Sequence, residues 1–137
     1  MANYTITLDI LYYIQYNVIN GDIMTNESFD NVILELRRGV IVLAVLSQLS
    51  QEQYGYSLIN NLREGGLDID QGTLYPLLRR LEAQGLLQSN WRIEADRPRR
   101  YYVISKEGQT LLPQLKQEWN SIVTMMDKML DMERRVS

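Results

Sequence analysis

The 137-residue chain has no cysteine and no histidine. Together these absences exclude disulfide frameworks, thiolate nucleophiles, Cys/His zinc sites and every Ser/His/Asp or Cys/His catalytic set. Proline is scarce, with only Pro76, Pro98 and Pro113. Long apolar runs are missing too: the longest, Val40 to Leu46, is far short of the roughly 20 residues a membrane span needs. The opening Met-Ala-Asn-Tyr-Thr lacks the basic stretch and cleavage pattern of a secretion signal. A soluble, cytoplasmic protein with no membrane partner is therefore expected. Gly55-Tyr56-Ser57 comes near a nucleophile elbow, but residue 59 is isoleucine and no histidine can activate Ser57. No phosphate-cradling glycine loop or paired carboxylates occur, so no enzyme, metal or other cofactor is expected.

What is present is a 45% hydrophobic share, enough to bury one core, and an uneven distribution of charge. The formal net charge is -3, a value that by itself suggests indifference to nucleic acid. Met1 to Leu36 carries five acids and no base, whereas Tyr75 to Lys106 carries seven bases against three acids, a local +4. Salt screens charge over about 10 Å at 0.1 M. A ligand docked on the basic segment therefore feels that patch more than the remote acids.

Periodicity orders the chain. Ile10, Leu11, Ile14 and Val18 fit a helical stripe over about Asp9 to Val18, a base-free packing arm. Val32 to Leu49 is apolar almost all round and fits a buried helix better than a central strand. Tyr54, Leu58 and Leu62 recur every four residues in a short helix closed by Gly65-Gly66. The third helix is capped by Asp70 or Thr73, carries the stripe Leu74, Leu77, Leu78 and Leu81, and stops at Gly85. Its opposite face holds Gly72, Pro76, Arg79 and Ala83, flanked by Tyr75 and Arg80, so the backbone can come close to a surface while arginines reach past it. Leu86–Ile93 and Arg99–Ile104 read as a hairpin with residues 94–98 as its charged tip. Ser105 caps a last helix, kinked near Pro113, whose Leu112, Leu115, Trp119, Ile122, Met126 and Met129 follow a 3-4-3-4-3 heptad seam.

Three helices followed by a basic hairpin predict a mostly α fold with a small β wing, a winged helix-turn-helix, followed by a long C-terminal dimerisation helix. The expected divisions are an acidic arm over 1–30, the DNA-binding domain over 31–104 and the dimerisation helix over 105–137. A charge run alone is usually a solvated face; clustering on one helix-hairpin unit favours duplex DNA. The third helix suits the major groove, with Gln71, Thr73, Tyr75, Arg79 and Arg80 near bases or phosphates, and the tip arginines suit the adjacent backbone.

From about Arg38 to Met132 the sequence resembles PadR-type bacterial transcriptional regulators. The resemblance lies in Tyr54-Gly55-Tyr56-Ser57-Leu58, in Gly72-Thr73-Leu74-Tyr75-Pro76 running on to Glu82, in Gly85-Leu86-Leu87, and in Arg97-Pro98-Arg99-Arg100-Tyr101-Tyr102. It implies a homodimeric repressor on a pseudo-palindromic operator. By that resemblance Tyr54, Thr73, Tyr75 and Arg79 would meet DNA from the helices, and Arg97 and Arg99 from the wing; the adjoining Arg100 is a further candidate for DNA contact. Two departures stand out. Asp96 occupies a position where the family often has glycine, placing an acid beside phosphate, and the acidic extension before Asp30 is longer than in many members. The extension is expected to pack on the partner's C-terminal helix.

The resemblance also implies a small aromatic effector held at the dimer centre by Trp119, Ile122 and Met126, with methionines as soft walls. The plainer reading of Trp119 is a filled position in the seam. The rival function is a winged-helix protein-interaction module, an anti-repressor or scaffold, which has no need of a +4 helix-hairpin unit.

Overall fold

The computed structural model describes Leu11 and residues 26–136. Apart from Leu11, the helix expected over Asp9–Val18 lies outside the described residues, as does the packing expected of the acidic arm. The elements are α1 (Asn26–Gln48), β1 (Gln53–Tyr54), α2 (Gly55–Glu64), α3 (Gln71–Ala83), β2 (Leu87–Glu94), β3 (Arg97–Ile104) and α4 (Lys106–Val136). The chain divides into two compact units, Met1–Gly39 and Val40–Ser137. The boundary expected at residue 30 thus falls inside α1, and α4 belongs to the same unit as the winged helix.

Within Val40–Ser137 the core is one cluster. Ile41, Val45 and Leu46 enter it from the end of α1 and Leu49 from just beyond it, Leu58, Ile59 and Leu62 from α2, and the full stripe Leu74, Leu77, Leu78 and Leu81 from α3. The wing contributes Leu87, Tyr102 and Ile104, with Ile69 from the loop before α3. Asp70 caps α3, its Oδ1 accepting from the Thr73 backbone N–H at 2.7 Å. This leaves Pro76 at the sixth helical position, where it forfeits the bond to the Gly72 carbonyl. Gly66 and Gly85, both at positive φ (97° and 79°), end the turns after α2 and α3.

The sheet order is β1-β3-β2, both pairings antiparallel. The turn is tighter than the sequence suggests: Glu94 pairs with Arg97, and only Ala95 and Asp96 form the tip. Both have positive φ, 49° and 63°, as a two-residue type I′ turn requires. Arg97 and Pro98 are therefore strand residues. Glu94 and Arg97 close the turn as a hydrogen-bonded pair, so the next pair, Ile93–Pro98, is a non-bonded one. The missing Pro98 N–H would point away from β2, on the side where β1, paired only at Tyr101 and Tyr102, does not reach. That is why proline is tolerated in the middle strand.

Ser105 joins wing to helix. Its N–H donates to the Leu86 carbonyl (3.0 Å) and its Oγ to the Gly85 carbonyl (2.6 Å), while Oγ accepts from the Gly108 N–H (3.0 Å) to cap α4. The helix then runs without interruption through Pro113. Its heptad seam changes partners along its length. Leu112 and Leu115, expected in a dimer interface, are partly buried against the subunit's own core, while Trp119, Ile122, Met126 and Met129 are exposed.

Candidate nucleic-acid interface

The face of α3 opposite its leucine stripe is open: Gln71, Gly72, Thr73, Pro76, Arg79, Arg80 and Ala83 are all exposed. Tyr75 is half-buried because its ring lies against Gly55, so closely that a Cβ there would come within 2.7 Å of the tyrosine oxygen. Gly55 at the start of α2 is thus the seat on which Tyr75 is held.

Strand alternation sorts the wing arginines onto two faces. On the outer face Arg99 lies 4.6 Å over the Tyr54 ring and Arg92 lies 4.5 Å over Tyr101. Glu94 receives Arg99 at 3.4 Å and the Tyr101 hydroxyl at 2.6 Å. Glu52, just before β1, pairs with Arg92 and accepts from Asn90 at 3.1 Å. The hydrogen bond to Glu94 raises the Tyr101 pKa above the usual tyrosine value, with desolvation adding in the same direction. Tyr54, expected at DNA, therefore carries Arg99 on its ring and stands beside Tyr56 and Tyr101.

On the inner face Arg100 sits between the wing and α3. It donates to Glu82 Oε1 at 2.5 Å and to Ser89 Oγ at 3.0 Å, and its guanidinium is 5.7 Å from the Trp91 ring centre and 5.4 Å from that of Tyr102. Tyr102 is buried, and desolvation raises its pKa.

The expected set thus separates into two groups. Among the described residues Arg79, Arg80 and Arg97 make no ion pair, whereas Arg99 and Arg100, like Arg92 outside that set, each have a carboxylate of the same chain. The +4 counted along the segment omits Glu52, which the fold brings onto the wing. Sequence reasoning also missed Glu82, Glu94 and Trp91. With the turn set at Ala95–Asp96, Glu94 is legible as the cross-strand neighbour of the arginines; Glu52 lies 40 residues from Arg92 and leaves no local signal. No helix among the described residues is long and apolar enough to cross a membrane. No group of three or more Asp or Glu among them is placed to hold a metal ion.

Residues 42–114 match the model of the transcriptional regulator PadR-like family. The chain is 38% identical over 79 residues, 57% of its own length and 74% of the relative's, to a transcriptional regulator of Mycobacterium tuberculosis strain H37Rv. Its structure is similar to that of a PadR family transcriptional regulator from Eggerthella lenta, with a TM-score of 0.70, 42% identity, and coverage of 77% of this chain and 94% of that one. A PadR-like regulator from Bacillus cereus gives a TM-score of 0.60 at 28% identity, over 70% of this chain and 96% of that one. Capped α3, basic wing and long C-terminal helix thus occur together in a chain that belongs to the PadR-like family of DNA-binding transcriptional regulators, and not to an enzyme family.

Proposed function

We propose that the protein is a homodimeric, ligand-responsive repressor that grips a pseudo-palindromic operator with two α3 helices and two wings. The observation that carries the DNA reading is the set Arg79, Arg80 and Arg97, exposed and without an ion pair among the described residues, on the helix-wing unit of an otherwise acidic chain. Their guanidiniums are the phosphate contacts, with Gln71, Thr73 and Tyr75 nearest the base edges. Arg99, half-exposed over Tyr54, adds to the wing's contact.

Dimerisation is supported by the exposed apolar length of α4, from Trp119 through Ile122, Met126 and Met129, which a second copy would cover. Trp119, Ile122 and Met126 are the candidate contacts for a small aromatic effector at that seam. Such a ligand would change the spacing of the two reading helices and hence operator affinity, by a coupling of about 1–3 kcal/mol.

The test is a gel-shift titration with a duplex selected by the full-length protein from a randomised library. Binding should weaken steeply with salt, and Arg79→Ala or Arg97→Ala should each reduce the log–log salt slope by about 0.9. Light scattering should give twice the 16.0 kDa chain mass. Absence of duplex binding, or unchanged slopes in both variants, would sink the reading.

A further inference from the structure

We propose that Arg100 and Glu82 form a positioning pair that sets the angle between the wing and α3, and that Arg100 is not a phosphate contact; this rests on the DNA-binding reading above. Burial along the hairpin locates the pair. Tyr102 and Leu87 are buried and Ser89 is half-buried, but Trp91 is 64% and Ile93 81% exposed. Beyond Ser89, among the described residues, no β2 side chain joins the core; Glu52 holds Asn90 and Arg92 on the outer face, and the inner face is held to α3 by side chains alone. Among the described residues, one side-chain ion pair joins α3 to the wing, and it sits at this point: Arg100 to Glu82.

Two of the guanidinium nitrogens are engaged there: Nη2 donates to Glu82 and Nε to Ser89, with aromatic rings of both hairpin strands around the group, Trp91 and Tyr102. Such a planar, forked cation fixes direction as well as distance, which a lysine ammonium cannot do. A phosphate taking the Nε–Nη2 side would displace the carboxylate and leave Glu82 half-buried without its cation.

The leverage is large. The five steps from Ser89 to Glu94 span roughly 17 Å at about 3.3 Å each, so a 10° swing at Ser89 moves the tip by about 3 Å. A displacement of that size breaks a hydrogen bond. A wing free to swing still finds phosphates, which every sequence offers alike, but loses the fixed register that distinguishes an operator.

Full-length protein would be titrated with its selected duplex and with a random duplex of equal composition across a salt series. Arg100→Gln and Glu82→Ala should each lower the selected-to-random affinity ratio about tenfold, with the random-duplex salt slope unchanged. The exchange E82R/R100E, which conserves net charge, should bring the ratio back to within about threefold of wild type. The proposal is overturned if Arg100→Gln lowers the slope by about 0.9, if Glu82→Ala tightens both duplexes by freeing Arg100, or if the exchange restores nothing. A readout independent of DNA uses the Trp119→Phe protein, whose remaining tryptophan is Trp91. Emission should change on adding Glu82→Ala, because the unanchored guanidinium leaves the indole; an unchanged spectrum overturns the pair whatever the DNA result.

Discussion

Replacing Gly55, a buried residue, with alanine should disturb DNA binding through Tyr75. The added methyl would overlap Tyr75 Cε1 and come within 2.7 Å of Oη. All the conflicting atoms belong to the far end of one side chain, so the conflict is relieved by rotating Tyr75 away and not by moving backbone. Swinging out a half-buried tyrosine exposes on the order of 80 Å² of apolar surface, about 2 kcal/mol at ~25 cal/mol per Å². Exchanging glycine for alanine in a helix returns up to about 1 kcal/mol. The net loss is about 1 kcal/mol, or roughly 5 °C in Tm for a unit of this size. Operator affinity should fall about tenfold, the equivalent of one lost polar contact of about 1.4 kcal/mol.

The decisive assay places the substitution in a Tyr75→Ala background. There the space is empty, so Gly55→Ala should become stabilising by up to about 1 kcal/mol and should no longer affect DNA binding. Urea midpoints and duplex titrations on the four proteins complete the cycle. Equal destabilisation by Gly55→Ala in both backgrounds would refute the contact on which the reasoning rests.

Gly108→Ala should be far more damaging, because its methyl would overlap the Leu86 carbonyl oxygen and lie 2.6 Å from Ile104 Cγ1. Backbone must shift, and a urea midpoint should register a loss of about 2–3 kcal/mol. Ala95→Asn should raise stability by about 1 kcal/mol in the same assay, since asparagine accepts the positive φ that alanine resists. Stability should decline as pH rises above 10, because the Tyr102 pKa is raised by burial. The folded state then keeps a proton that the unfolded chain has lost, so the contribution is complete below pH 10 and disappears above it. Tyr102→Phe should flatten the decline between urea midpoints at pH 9 and pH 11; an unaltered slope would show that the alkaline loss originates elsewhere.

The sequence carried α3 almost whole, because its leucine stripe, its aspartate cap and its closing glycine all act within a few residues of one another. The wing strands were legible for the same reason, but their turn was drawn too wide. Proline and adjacent charges read as a loop, and only the register of β3 shows that Pro98 faces an unpaired edge. The two-residue β1 is too short to leave a periodic signal. Neither Glu52–Arg92 nor Glu82–Arg100 is visible in a linear charge count, since each joins residues that only the tertiary fold brings together. The heptad pattern marked a continuous apolar stripe on α4, but spacing cannot tell which stretch meets the chain's own core. Leu112 and Leu115 do; Trp119 onward does not.

Ser105 has a consequence for how a signal would travel. A single serine binds the carbonyls just after α3 and an amide in the first turn of α4, that of Gly108, so the two helices are joined directly at this point. A tilt of the C-terminal helix would be passed to α3 through these bonds, and a partner that merely reoriented α4 would thereby re-aim Arg79 and Arg80.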